Sequence, residues 1–332
     1  MNTQTLDAAI DRGAAFLAAD RAPDGLWRDY VREDGRPGSN VWISGLIAAH
    51  VGRIPAARPA AAAVVAALLE RRRPGGGWGY DEELLEDCDS TAWVLLAARA
   101  TATPLPRDVL IPGLRFLLAH QRESGGFVTY GPEGVRLFGA IAEREGWFTP
   151  QPCVSAAALA ALAAYAQPEL PAIAAAVHYL EHSTVDELWR PYWWYGFTYA
   201  TCHAVRALAQ VGRLAPARAA AIADAVRRAR CEDGGWAGKH PGRSLPFPTA
   251  LALLTLLDLG AVGPELADAV ELLLAWQRPD GSFLASAELM VPGGASAETM
   301  TLLDTGRVTT ACVLHSLHAY RGRLAAPRQE TT

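Results

Sequence analysis

The stretch EDCDSTAWVL, Glu86 to Leu95, sets two carboxylates, Asp87 and Asp89, two residues apart at the entrance to an apolar run. Carboxyls so placed have two uses. Aspartate is a favoured helix N-cap, and the positive end of the helix macrodipole stabilises its anion. In an apolar, aromatic pocket beside a second carboxylate, an aspartic acid instead has its pKa raised, because desolvation and like charge both disfavour the anion. Such a group holds its proton at neutral pH and acts as a general acid. Aromatic faces around it stabilise a developing cation by ~0.5–2 kcal/mol each. An acid, aromatic walls and exclusion of water are what protonation of an alkene and guidance of a carbocation require.

The elements that would position these residues are legible in an internal repeat. FLAADRAPDGLW ends at Trp27, FLLAHQRESGGF at Phe127 and LLLAWQRPDGSF at Phe283, each an apolar helix end, a glycine turn and an aromatic. RRRPGGGWG around Trp78 and RCEDGGWAG around Trp236 keep the turn and the aromatic, and YLEHSTVDELW at Trp189 is a decayed sixth copy. Each turn leads through a loop into a second Ala/Leu-rich run: VWISGLIAA, DSTAWVLLA, CVSAAALAA, YATCHAVRAL, FPTALALLTL and VTTACVLHSL. Strong helix formers and scarce β-branched runs predict helix throughout, without strands. Six helical hairpins predict an all-α, closed (α/α)6 toroid with an inner and an outer ring, spanning residues 1–322, and residues 323–332 are expected to be a disordered tail. Connections from inner to outer helices are short, whereas those from outer to inner helices are long and aromatic, and long loops gathered at one end of a rigid scaffold carry function. Asp87 and Asp89 lie at that end.

Aligned on their small residues, the inner helices share a register at Ser44, Thr91, Ser155, Thr201, Thr249 and Thr310, read as a tight helix–helix contact. Two residues earlier stand Trp42, Asp89, Cys153, Tyr199, Phe247 and Val308, and one turn later on the same face Leu46, Trp93, Ala157, His203, Leu251 and Cys312, with Arg206 and His315 a turn beyond. A core face has no use for that mixture, so it is expected to line a central cavity. The sibling helices have no good cap at the Asp89 position, whereas Asp87 has Asn40 and Gln151 as counterparts. Capping therefore suits Asp87, and chemistry suits Asp89.

The glycine–aromatic turns resemble the QW repeats of squalene–hopene and oxidosqualene cyclases, and DCDSTA resembles their D-x-D-D-T-A proton-donor motif, closer still to the D-x-D-T-T form of drimenyl-diphosphate-type cyclase domains. The resemblance implies a class II terpene cyclase, which starts an isoprenoid cyclisation by protonation, with Asp89 as the acid, Asp87 tuning it, and Ser90 in place of the usual third Asp or Thr. Squalene-type cyclases use two toroids where this chain has one, so the mouth needs cover from the long loops, a second subunit or another partner. The chain is also similar to the protein prenyltransferase β subunit, whose zinc is held by an Asp-x-Cys and a later His; here that slot reads Asp87-Cys88-Asp89 and the His slots hold Ala200 and Thr309, so no metal site is expected.

Further candidates are His203 and His315, to reprotonate the acid or deprotonate a final cation, Arg190 and Arg307, to meet a diphosphate, and Trp194 in WRPYWWYGF, as cavity lid or partner contact. DEELLED, Asp81 to Asp87, would hold Mg²⁺ if the substrate is a diphosphate, though an acidic loop is more often simply solvated. A net charge of −5, with Lys239 the only lysine, argues against nucleic-acid binding. Five cysteines without a CxxC pair fit a reducing compartment, and the acidic N-terminal stretch does not read as a signal peptide, so a cytoplasmic location is expected, with peripheral membrane contact left open. The alternatives to a cyclase are a non-catalytic toroid that binds an isoprenoid or a partner, and an alkene hydratase or isomerase using the same cavity.

Overall fold

The computed structural model describes residues 3–31, 37–138, 145–291 and 299–325. The inner helices are α2 (Val41–Val51), α4 (Cys88–Thr101), α8 (Pro152–Tyr165), α10 (Thr198–Gln210), α12 (Pro246–Asp258) and α14 (Arg307–Ala325). The outer helices are α1 (Thr3–Ala19), α3 (Arg58–Glu70), α5 (Arg107–Ala119), α9 (Pro171–His182), α11 (Pro216–Arg228) and α13 (Pro264–Ala275). Each inner helix packs on the next, and α14 packs on α2 and α1, which closes the ring. The chain is an all-α (α/α)6 toroid. Outer helices bury one face, as α5 does with Gly113 and Leu117, whereas inner helices such as α12 are buried nearly all round.

A repeated set of hydrogen bonds explains the shared register. The hydroxyls of Ser44, Thr91, Ser155, Thr201, Thr249 and Thr310 accept the backbone N–H of Trp27, Trp78, Phe127, Trp189, Trp236 and Phe283 at 2.8–3.1 Å. Each inner helix is thus tied to the turn that precedes it, a more specific role than close helix contact. The indole N–H groups of Trp27, Trp78, Trp189 and Trp236 donate back to carbonyls at the end of their outer helices. The two copies with phenylalanine lack that donor, and there Gln121 and Gln277 staple the turn by donating to Ala172 and Ala9 of the neighbouring outer helix.

Two residues before the aromatic, Gly25, Gly76, Gly125, Gly234 and Gly281 adopt φ between 86° and 101°, which favours glycine. In the decayed copy this position is Glu187, at φ 67°. The turn has kept its shape and both tryptophan bonds while losing the residue that forms it without strain.

The structure departs from the helix-only expectation at the mouth. Three antiparallel ribbons sit in the outer-to-inner loops: β1 (Asp29–Val31) with β2 (Pro37–Ser39), β3 (Trp78–Gly79) with β4 (Glu86–Asp87), and β5 (Glu288–Val291) with β6 (Met300–Leu303). Two short helices, α6 (Pro132–Phe138) and α7 (Glu145–Phe148), occupy the loop before α8. Helix α14 continues past residue 322 to Ala325, and the rest of the expected tail, 326–332, lies outside the described residues. Among the described residues no helix is long and apolar enough to cross a membrane.

Candidate active site

The start of α4 separates the two carboxyls by geometry. Asp87 is the N-cap: its Oδ1 accepts the backbone N–H of Ser90 at 2.7 Å and its Oδ2 accepts the Ser90 hydroxyl at 2.5 Å. Ser90 therefore orients the cap and makes no bond to Asp89. Asp89 lies in the first turn with one donor, the Trp42 indole N–H, 2.8 Å from Oδ2, while Oδ1 is buried without a partner. Burial pushes Asp89 up to about 7, against the Trp42 hydrogen bond and the pull of the nearby Trp93 indole, whose N–H makes no hydrogen bond of normal geometry. Burial also pushes Asp87 up to about 8, against its bonds from Ser90, with the Asp89 charge adding to the rise. Two carboxyls in one desolvated site cannot both ionise cheaply, so the pair keeps a proton near neutrality. Desolvation, more than mutual repulsion, sets that behaviour.

Both carboxyls line a cavity of about 620 Å³ at the mouth, within the usual range for small-molecule sites. Aromatic rings form much of its wall: Trp42 from α2, Tyr80 after β3, Tyr130, Trp147 and Trp193 from the loops. Trp42 stacks on Tyr80 and Tyr30, with ring centroids 5.6 and 6.2 Å apart, which fixes the indole that holds Asp89. Apolar cover comes from the β5–β6 ribbon through Leu289, Val291, Met300 and Leu302. That ribbon is itself tied to the WRPYWWYGF loop, since Met290 N–H donates to the Trp193 carbonyl at 2.7 Å. The chain's own loops thus supply cover over the mouth.

Several expected cavity residues sit beneath this space. Trp194 is 3% exposed and stacks between Tyr199 and Phe247, with centroids 4.3 and 5.0 Å away, filling the centre of the ring. Tyr199, Phe247, Trp93, Cys153 and Cys312 are buried in or beside this layer and do not line the mouth cavity. Burial pushes the Cys153 thiol up to about 11. His203 and His315 are on the inward face, as expected, but open onto a different cavity at the far end of the ring. At 1.5 Å per residue, the one or two turns that separate them from the Asp89 level carry them past the aromatic layer. Burial also pushes both well below the ordinary histidine range, so they are neutral. Arg190 is exposed, and Arg307 is held in an ion pair with Asp20 and a bond to Thr305; neither lines the mouth cavity.

Several acids of DEELLED are already engaged within the chain. Asp81 Oδ1 caps the following turn through the N–H groups of Glu83 and Leu84, and Glu82 pairs with Arg71. Among the described residues no group of three His, Cys, Asp or Glu side chains is arranged to hold a metal ion. The residues the sequence reading did not name are Tyr80, Tyr130, Trp147 and the ribbon side chains. Their signal was the aromatic density of the long mouth loops, which marks a region without picking out positions.

The family description "Squalene-hopene cyclase C-terminal domain" matches residues 74–293. The drimenyl diphosphate synthase of Streptantibioticus cattleyicolor is 28% identical over 254 residues, covering 73% of this chain; the chain spans 43% of the length of that synthase. A type II terpene cyclase from Scytonema superposes with a TM-score of 0.84 at 27% identity, covering 97% of this chain and 99% of that one. A variant of the same cyclase, solved with geranylgeranyl dihydroxybenzoate as substrate, gives 0.84 and 27% over 96% and 98% of the two chains. With its repeat, its closed ring and its paired aspartates at the head of α4, this chain belongs to the squalene–hopene cyclase C-terminal domain family.

Proposed function

We propose that the protein is a class II terpene cyclase that begins the cyclisation of a linear isoprenoid by protonating an alkene, with Asp89 as the general acid. The observation that carries this reading is the Asp89 carboxyl itself: desolvated, raised to about 7, held by one indole donor and set in the wall of an aromatic cavity. In the first step the Asp89 O–H bond breaks and a C–H bond forms at the alkene, leaving a carboxylate and a tertiary carbocation. A neighbouring C=C attacks that cation, closing a ring and moving the charge onward. The rings of Trp42, Tyr80 and Trp147 offer the negative faces of their π systems to it. Loss of a proton ends the sequence, so product and substrate are isomers. Asp87 acts as a positioning residue, fixing the first turn of α4 from which Asp89 projects.

The substrate class follows from the cavity and the relatives. A mostly apolar space of about 620 Å³ suits one folded isoprenoid chain. One relative is named for a diphosphate product, and the Scytonema cyclase is described with a geranylgeranylated dihydroxybenzoate. Tight desolvation of an acid that no cap requires gives this reading precedence over a non-catalytic toroid. To test it, purified protein is incubated with farnesyl diphosphate, geranylgeranyl diphosphate and geranylgeranyl dihydroxybenzoate, with products identified by mass spectrometry and NMR. A cyclic isomer of one of them is expected, together with a loss of at least ~10³-fold in rate for Asp89→Asn. Binding without turnover of all three, or full activity in Asp89→Asn, contradicts the proposal.

A further inference from the structure

The far end of the ring holds a second cavity, of about 540 Å³, lined by the C-terminal turns of α2, α4, α8, α10 and α12 and by His315 of α14. Its floor is the back of the aromatic layer, through Trp93 and His203. Side chains there form an ordered hydrogen-bonded chain. Arg206 faces Asp258 at 3.3 Å and His315 Nε2 at 3.2 Å; His315 Nδ1 lies 3.0 Å from His50 Nδ1, and His50 Nε2 lies 3.9 Å from the Cys312 sulfur. A guanidinium only donates, so His315 Nε2 accepts, His315 Nδ1–H donates to His50, and the His50 proton sits on Nε2. Burial, with Arg206 adding to it, brings His50 down to about 3, so the chain is made of neutral imidazoles.

Two features of this cavity are left over. Arg53 and Arg99 join Arg206 in its wall, and the side chain of neither has a hydrogen bond or ion pair among the described residues. Elsewhere half-buried arginines find carboxylates, as Arg71 does with Glu82, Arg227 with Glu265 and Arg230 with Asp268. Here the neighbouring charges are other guanidiniums: Arg53 is pushed down by burial and then by Arg206 and Arg99. Asp258 offsets one of the three positive charges. In addition, His203 is 7% exposed, lines the same cavity, and its Nε2 is buried without a partner. The negative ends of the helix macrodipoles draw basic residues to helix C-termini. They give no reason for three guanidiniums to converge, nor for a buried ring nitrogen to lack a partner.

We infer that the far cavity is a binding site for a free phosphate-type oxyanion, diphosphate or phosphate, held by Arg53, Arg99 and Arg206 with His203 Nε2 completing its hydrogen bonds. Guanidinium forks match such oxygens two at a time, and an anion of two or more charges relieves the repulsion among the three cations. As a donor, His203 carries its proton on Nε2. The site is separate from the Asp89 cavity, sharing only the layer in which Trp93 stands between them. It does not depend on which substrate the mouth accepts.

Isothermal titration calorimetry of the full chain with sodium diphosphate, and separately sodium phosphate, at constant ionic strength tests the site. Saturable one-to-one binding is expected, weakened tenfold or more in both Arg53→Gln and Arg99→Gln and unchanged in Asp89→Asn. Both arginines are exposed, so the variants should fold. In parallel, the ring resonances of His203 in histidine-labelled protein should move on saturation with diphosphate. Absence of a saturable heat and of a His203 shift overturns the inference. So does full affinity in the arginine variants, or affinity raised in Asp89→Asn, which would put the anion in the mouth beside that carboxyl.

Discussion

At the mouth of the ring, burial acts on acids: Asp87 and Asp89 rise to about 8 and 7 in a cavity walled by aromatic rings. At the far end, the same inner helices enclose bases, and burial drives His50, His203 and His315 down until they are neutral. Between the two lies a packed layer of Trp93, Trp194, Tyr199 and Phe247. One scaffold thus holds a proton on a carboxyl at one end and withholds it from imidazoles at the other, by desolvation in both cases. A neutral histidine with a low pKa is a poor proton source, which supports the proposal that the acid lies at the mouth.

Removing the acid has the largest expected effect. Asp89→Asn should lose at least ~10³-fold in rate while becoming more stable above pH 7. The sign follows from linkage. Because the folded pKa of Asp89 is raised, its contribution to stability is fully present below the unfolded value of 3.8 and is lost as pH rises through about 7. Asparagine removes that loss. Thermal melts at pH 6 and pH 8 check it: the difference between them should shrink in the variant.

Trp42→Phe is next. It removes the one hydrogen bond to Asp89 and keeps the stacking on Tyr80. A hydrogen bond to a charged group is worth ~1.5–3 kcal/mol, so the rate should fall roughly 10–100-fold. Since that bond favours the anion, its loss should move the alkaline limb of the pH–rate profile upward. A downward movement would mean that Trp42 serves some other purpose.

Trp194→Ala tests the layer that parts the two ends. Its indole fills the centre of the ring between Tyr199 and Phe247. Without it the mouth cavity should deepen toward the far one, and turnover should shift toward longer isoprenoids. Competition between farnesyl and geranylgeranyl substrates measures that shift. An unchanged preference would show that the layer does not set chain length.

What could be read from sequence depended on repetition. Six aligned copies made the toroid and the inward face legible, and a lone aspartate among Trp, Cys, Tyr, Phe and Val stood out as not a cap. The role of the Ser/Thr register was not legible, because the N–H it accepts lies in another turn. Depth was also hidden: the same periodicity that puts His203 and His315 on the right face says nothing of the loop-borne Trp194 that cuts them off from Asp89. Tyr80, Tyr130 and Trp147 reach the cavity through loop geometry, which has no period. Arg307 resembled a diphosphate ligand until its partner, Asp20, arrived from the other end of the chain.

The smallest expected effect lies in the decayed turn. Glu187→Gly should relieve the left-handed strain at φ 67° and raise stability by roughly 0.5–1 kcal/mol, with activity unchanged. Chemical denaturation measures it.

The central claim is that Asp89 carries a proton at the pH where the enzyme works. The direct measurement is a titration of its carboxyl by difference infrared spectroscopy, wild type minus Asp89→Asn, followed through the protonated C=O stretch. The account predicts a protonated carboxyl at pH 6 that is lost around pH 7. A carboxylate already ionised at pH 5 would contradict it.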